Sequence, residues 1–338
     1  ASRNWNDTIN HWLTVDYAMT RSVADPCAYV KHVKEEKLIV TIWVDDLIIA
    51  GSSIRIIEDF KSAISKRFRM KDLGELKWIL GMEVTRDRSK REIKISQSTY
   101  IKQVLERFGM DSCKPVATPM EGILQRIDTK GGGKTDRDYM SIVGSLLYAA
   151  MVSRPDITYA VQVLGRHLQC SGPEHMTAAK RILRYLQGTK DVGLVFNGKN
   201  PCKRSLIGYS DSDWGSDTDT RRSTTGYVFT FHDCAISWGS KLQTTVALSS
   251  AEAEYMAMCA AVQEAIHLRQ LCKDLGYEQK EPTIIYEDNQ GCIALSSNPV
   301  FHKRTKHIDI RYHFIRERVA SNEVQVLYIP TENQLDNP

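Results

Sequence analysis

The chain has 338 residues, 42% hydrophobic and 25% charged, a length that predicts about two domains and a composition that excludes a mostly disordered or collagen-like polypeptide. The net charge of +4 hides an asymmetry: residues 1–204 carry 33 basic and 23 acidic side chains, residues 205–338 carry 12 and 18. A basic half suits a polyanionic partner, while an acidic half that binds the same partner needs metal ions to reconcile the charges.

Val40, Ile42 and Val44 alternate with Thr41 and Trp43, and after Asp45-Asp46 the run Leu47-Ile48-Ile49 resumes. This predicts two or three short strands over 28–50. Over 53–68, Ile54, Ile57, Phe60, Ile64 and Phe68 recur at helical spacing, and Lys61, Lys66, Arg67, Arg69 and Lys71 form a basic face there and just beyond. Strands are predicted at 78–85 and 92–96, a helix from Ser98 to about Phe108, and a linker at GGGKTDRD, 131–138. Helices follow at 139–151, 155–170 and 173–187, the last carrying Lys180, Arg181 and Arg184.

The second half changes character. Strands at 192–197, 206–212, 226–231 and 234–238 come at hairpin-like intervals, with the domain boundary near 195–205. A helix at 249–275, the strand TIIYED, a helix at 289–297, a basic helix at 308–320 and the strand VQVLYI follow. That order predicts an α/β domain with a mixed sheet. Trp43, Trp78, Trp214 and Trp238 are expected in core or hairpin packing, not as base-stacking platforms.

The eight cysteines include no CxxC pair, which argues against a zinc ribbon and for reduced thiols in an intracellular protein. ASRNWNDTINHW lacks the apolar core of a secretory signal, and the apolar runs at 38–44 and 142–152 are too short to span a bilayer, so no membrane partner is expected. The absence of an initial Met is read as the mark of a processed product or a piece of a longer chain.

Several acids stand where chemistry needs them. Asp45 and Asp46 interrupt two apolar strands, either as a solvated turn or as ligands for a divalent cation that meets substrate phosphates. Asp211 ends the strand LIGYSDSDW, where Tyr209, Asp211 and Asp213 share a face. Glu252 and Glu254 open a helix that Ser249 or Ser250 would cap, and Asp288 ends TIIYED. Each acid alone has a structural explanation, in the helix dipole or a cap. Together, acids at a strand end, a helix start and another strand end are placed to converge on one metal site. The segment HKRTKHIDIRYHFIRERV at 302–319 reads either as an amphipathic helix packing Ile308, Tyr312 and Ile315, or as a phosphate-tracking surface. In the second reading Lys303, Arg304, Lys306 and Arg311 bind the nucleic-acid backbone.

WVDDLIIAGSS at 43–53 resembles the YVDD box of reverse transcriptases, with Trp43 in the place of Tyr. DLGELKWILGMEV (72–84), ISQSTYIKQVL (95–105), YMSIVGSLLYAAMVSRPDI (139–157) and AAKRILRYLQGT (178–189) are similar to the copia-type retrotransposon Pol polyprotein, as are GYSDSDW, SSAEAEY, EDNQGCI and KHIDIRYHF. The resemblance runs nearly end to end, with the motifs in family order. It implies an α+β and α/β chain: a partial reverse transcriptase palm with a YVDD-like box at 1–120, thumb or connection helices at 121–200, and a ribonuclease H-like mixed-sheet domain at 201–338.

The resemblance also implies roles. KWILGMEV would be the primer-gripping hairpin, and Asp45 and Asp46 polymerase metal ligands. Asp211, Glu254 and Asp288 would be the ribonuclease H carboxylates holding two Mg²⁺ ions, or Mn²⁺, about 4 Å apart, with Asp213 and Glu252 as neighbours. The family's fourth carboxylate lies in TENQLAD; this chain reads TENQLDNP at 331–338, so Asn337 takes that place unless Asp336 serves with a one-residue shift. The implied function is hydrolysis of the RNA strand of RNA–DNA hybrids. The implied partners are that hybrid, template-primer and the remainder of the Pol polyprotein, in a cytoplasmic virus-like particle or the nucleus. The family places a further polymerase aspartate upstream of ASRNW, so the chain alone is expected not to polymerise DNA. The alternative is a catalytically inactive remnant that only binds nucleic acid or a polymerase partner.

Overall fold

The computed structural model describes residues 2–121, 136–199, 205–217, 219–297 and 309–334. The chain divides into two compact units, residues 1–76 with 266–281, and residues 77–265 with 282–338.

The first unit opens with α1 (Ser2–His11), which runs into a π-helical turn at Trp12–Asp16. Sequence reading treats this stretch only as a polar non-signal segment; Ile9, Trp12 and Leu13, one helical face, are what bury it. β1 (Thr20–Arg21), β2 (Ala28–Val33), β3 (Glu36–Trp43) and β4 (Asp46–Gly51) form an antiparallel sheet in chain order. Every second residue of β3, Leu38, Val40 and Ile42, enters the core. There they meet Ile56, Phe60 and Ile64 of α2 (Ile54–Ser65), whose first turn is capped by Ser53 accepting from the Ile56 amide at 3.3 Å.

The second unit begins with β5 (Trp78–Ile79) and β6 (Met82–Asp87), joined by Leu80 and Gly81 at φ +48° and +70°. Positive φ at both turn residues matches the twist of a two-residue hairpin. β7 (Glu92–Ser96) adds antiparallel to β6, and α3 (Ser98–Arg107) follows it. The helices α4 (Arg137–Val152), α5 (Thr158–Gly165) and α6 (Pro173–Gly188) share one core with α3, through Ile101, Leu105, Ile142, Leu146, Leu164, Ile182 and Leu186. The helix expected over 155–170 is shorter, because Pro155 starts a 3₁₀ turn (Pro155–Ile157) and the α-helix stops at Gly165. β8 (Gly193–Asn197) pairs with β7, Leu194 opposite Ile95, so the strand expected at 192–197 completes the sheet begun at β5 and does not join the strands that follow it in sequence.

β9 (Ile207–Asp213), β10 (Thr224–Phe231) and β11 (Cys234–Leu242) form an antiparallel meander, followed by α7 (Ser250–Asp274), β12 (Thr283–Glu287), α8 (Gln290–Ser297), α9 (Asp309–Ala320) and β13 (Val324–Tyr328). The sheet order is β11-β10-β9-β12-β13, with β12 parallel to both β9 and β13. This is the mixed sheet expected for residues 201–338. Parallel neighbours require crossover connections, which α7 and the α8–α9 pair supply.

Three tryptophans depart from expectation. Trp43, Trp78 and Trp214 are 58%, 50% and 59% exposed, because each stands at a strand end or in a turn where the backbone leaves its sheet. Trp238 is half-buried and donates to the Ala150 carbonyl at 2.8 Å. Among the described residues no helix is long and apolar enough to cross a membrane, and the described cysteines are free thiols.

Candidate metal centre

The register of β9 against β12 pairs Tyr209 with Tyr286 at its last step. Two residues further along β9 stands Asp211, and two residues past Tyr286, just beyond the end of β12, stands Asp288. Glu254 comes from the start of α7. Its approach is set by a cap: Ser249 Oγ accepts from the Glu252 amide at 3.2 Å, and the Glu252 carboxylate accepts from the Leu248 amide at 2.9 Å. Glu252 is thereby engaged in starting the helix, and Glu254 falls on the next turn, buried.

Asp211, Glu254 and Asp288 each offer a carboxylate oxygen, and the three oxygens lie within 4.8 Å of one another. Asp211 is 8% exposed. Burial, with the charges of Asp288 and Asp213 added, pushes its carboxyl up to about 6 despite a hydrogen bond from the Ser212 amide. The Cys292 thiol is raised well above its usual value by burial and by the nearby charges of Glu287, Glu254 and Asp288, which makes it inert and reports the negative field of the site.

Neighbouring groups have other tasks. Asp213 accepts from Ser216 Oγ at 2.5 Å and from the Thr224 amide, closing the turn between β9 and β10. Asp288 is not the cap of α8: Asn289 Oδ1 accepts from the Cys292 amide at 3.0 Å, and the Asp288 carboxylate instead accepts from Thr331 Oγ1 at 2.5 Å. Sequence reasoning passed over Thr331, since a threonine 43 positions away carries no signal until the chain returns past β13.

The second acidic pair is arranged differently. Trp43 pairs with Asp46 across a two-residue turn of Val44 and Asp45, and both aspartates are exposed at its tip. Trp5 Nε1 donates to the Val44 carbonyl at 2.8 Å and braces the turn. Among the described residues, no third acidic, His or Cys side chain joins Asp45 and Asp46 in a metal-sized cluster. Of the basic residues singled out in the sequence, Lys303, Arg304 and Lys306 lie outside the described residues, as do Asp336 and Asn337. Arg311 falls on α9, where only its backbone is described, and Ile315 of that helix is fully buried. On α6, Arg181 is held by Glu121 at 2.5 Å and Thr118 at 2.9 Å, and Arg184 by the Lys114 carbonyl at 2.9 Å, so these arginines tether residues 114–121.

A family model described as reverse transcriptase (RNA-dependent DNA polymerase) matches residues 1–122. The retrovirus-related Pol polyprotein from transposon TNT 1-94 of Nicotiana tabacum is 46% identical over 326 residues, 94% of this chain and 24% of that protein. The Pol polyprotein from transposon RE1 of Arabidopsis thaliana is 39% identical over 99% of this chain and 22% of its own length. A putative transposon Ty5-1 protein of Saccharomyces cerevisiae is 30% identical, with 77% of this chain covering 84% of it. The chain belongs to the copia-type retrotransposon Pol family.

This copia-type Pol chain spans about a quarter of the length of the Pol polyproteins it matches. Among solved structures, the foamy viral protease-reverse transcriptase in complex with RNA/DNA hybrid aligns over 88% of the copia-type chain and 36% of its own, at TM-score 0.48 and 13% identity. LC11-RNase H1 aligns over 38% of the chain and 86% of its own, at TM-score 0.30 and 14% identity.

Proposed function

We propose that the second unit hydrolyses the RNA strand of RNA–DNA hybrids at a divalent-metal centre held by Asp211, Glu254 and Asp288. The convergence of these three carboxylates from β9, α7 and the end of β12 carries the reading. Their donor set fits Mg²⁺ or Mn²⁺, which take hard oxygen ligands and offset the repulsion of clustered carboxylates. Bound there, the ions would supply activation of the attacking water and charge stabilisation of the departing 3′ oxygen.

The chain's own residues define the rest. Asp211 sits on the central strand of the sheet, paired with Gly226 of β10 and two residues past the last β9–β12 pair, so its backbone is fixed by the ladder. Thr331 orients Asp288, and the Ser249–Glu252 cap orients the turn that bears Glu254. RNA would be distinguished from DNA by its 2′-hydroxyls, displayed across the wide minor groove of the hybrid. Template-primer and the remainder of a Pol polyprotein complete the proposed partners, within a virus-like particle. Asp45 and Asp46 would act in polymerisation only with a further carboxylate, and among the described residues none joins them.

The test is a labelled RNA–DNA hybrid incubated with the purified chain and Mg²⁺. Cleavage by the wild type that is lost in Asp211→Asn supports the reading. A hybrid left intact by both overturns it in favour of a binding-only remnant. Templated extension of a primer by the same preparation would overturn the polymerase part.

A further inference from the structure

Two buried glutamines flank Asp211, and nothing in the metal chemistry itself calls for them. Gln243, 7% exposed, follows the end of β11. Its Nε2 donates to the Ala253 carbonyl at 3.0 Å, with Thr225 Oγ1 at 3.2 Å and Ser212 Oγ at 3.4 Å sharing the amide. One side chain therefore joins the residue after Asp211 to the residue before Glu254. Its own backbone is fixed as well, the amide donating to the Ser223 carbonyl at 2.8 Å. Gln334, 9% exposed, donates from Nε2 to the Ser210 carbonyl at 2.6 Å, taking the residue before Asp211 just beyond the last β9–β12 pair. It closes the 3₁₀ turn Thr331–Asn333, whose first residue holds Asp288.

We infer that Gln243 and Gln334 are positioning residues that clamp Asp211 from both sides and set the span of the three-carboxylate cluster for metal; the inference rests on the metal-centre reading above. The orientation of both amides is determined, because the Ala253 and Ser210 carbonyls only accept, so each NH₂ must face them. That choice leaves Oε1 of each glutamine buried with no partner among the described residues, a cost that packing alone does not explain and that a methionine would avoid. Carboxylates this close repel one another without metal, so Asp211 needs a restraint that adds no charge to the cluster. A lysine or arginine there would neutralise the ligands and compete with the cation; a primary amide acting one residue away does neither. Groups that orient metal ligands in this way typically change affinity 10–100-fold when removed.

The test uses the full chain with Gln243→Met and Gln334→Met, which keep side-chain volume and remove the NH₂. Mn²⁺ binding is followed by calorimetry, alongside kcat and KM on the hybrid and a thermal melt, with Asp211→Asn as the control for site binding. Each methionine variant is expected to weaken Mn²⁺ affinity about 10-fold and to lower kcat while leaving KM for the hybrid unchanged. Folded variants with wild-type Mn²⁺ affinity overturn the inference while leaving the metal centre standing. Wild-type binding no tighter than that of Asp211→Asn overturns the metal centre and the inference together. Should Gln243→Met fail to fold, Gln334→Met decides alone, because the turn it anchors follows the last strand and leaves every ladder pair in place.

Discussion

The rings of Tyr209 and Tyr286 lie 5.3 Å apart on parallel strands in direct register, and that pairing dictates where two acids meet. Asp211 stands two residues past Tyr209, and Asp288 two past Tyr286 just beyond the end of β12, so the register that puts tyrosine beside tyrosine brings both acids to the same end of the sheet. A slip of one residue would turn one of these carboxylates to the opposite face of the sheet. The aromatic pair, which supplies about 0.5–1.5 kcal/mol beyond area burial, therefore sits where it guards the spacing of the site.

Asp211→Asn should stabilise the metal-free chain. Burial, with the neighbouring carboxylates, pushes the Asp211 carboxyl up to about 6, so at neutral pH the folded state holds an ion it disfavours. A displacement of about two pKa units corresponds to roughly 3 kcal/mol, and the neutral amide should recover about 1–3 kcal/mol of it. Thermal melts with and without Mg²⁺ read both halves of the prediction: a higher melting temperature without metal, and no further rise when metal is added. A variant that melts lower than wild type without metal and still gains from Mg²⁺ contradicts it.

Val44 adopts φ +54°, a left-handed conformation that a β-branched residue resists, at the tip of the turn that carries Asp45 and Asp46. Val44→Gly should remove that strain and raise stability by about 1 kcal/mol after the entropy of glycine is subtracted. Trp5→Phe should do the opposite, by about 1 kcal/mol, because it deletes the indole bond to the Val44 carbonyl. Hydrogen exchange of the Trp43–Leu47 amides checks the two together: slower in the first variant, faster in the second.

Much of this architecture is legible in the chain. The alternation of Leu38, Val40 and Ile42 announces β3, the serine–glutamate spacing at Ser249 and Glu252 announces the start of α7, and Asp211, Glu254 and Asp288 stand at element ends. What escapes sequence reading depends on distant partners. β8 finds β7 about 100 positions back, and Gln334 finds Ser210 124 positions back; neither segment carries a local sign of its destination. The exposed tryptophans mislead for a related reason: size and apolarity predict burial on average, whereas a turn or strand end can point a side chain outward whatever its chemistry.

Arg154 should tolerate no substitution, even by lysine. It is fully buried and engages Asp156 through Nε at 2.9 Å and Nη2 at 2.6 Å, and Thr189 through Nη1 to the carbonyl at 3.0 Å and Nη2 to Oγ1 at 2.7 Å. The fork thus ties the segment after α4 to the end of α6. An ammonium cannot reproduce a planar bidentate pair and two further bonds to Thr189. Arg154→Lys should cost about 2–4 kcal/mol, most of it from hydrogen bonds lost around a buried charge. Urea denaturation reads the loss; a midpoint unchanged from wild type would show that the clamp contributes nothing.

His175 should make the helical part of the second unit sensitive to acid. It is 1% exposed, and its Nδ1 accepts from the Gly172 amide at 3.0 Å, a bond that only the neutral ring can make on that nitrogen. Burial, reinforced by the His167 ring at 4.2 Å, lowers its pKa to about 4. His167 is itself lowered by burial, with Asp219 and Asp217 raising and Arg166 lowering it. An unfolded histidine titrates near 6.5, so as pH falls below that value the unfolded chain takes up a proton that the folded chain refuses. Stability should therefore decline from pH 6.5 towards 4, by roughly 2 kcal/mol at pH 5, and level off below 4. His175→Gln tests the assignment, because a glutamine at this third helical position can still accept from the Gly172 amide without titrating. Denaturant midpoints of the variant should lose this part of the slope between pH 7 and pH 5. Equal slopes in wild type and variant would move the acid sensitivity to another group.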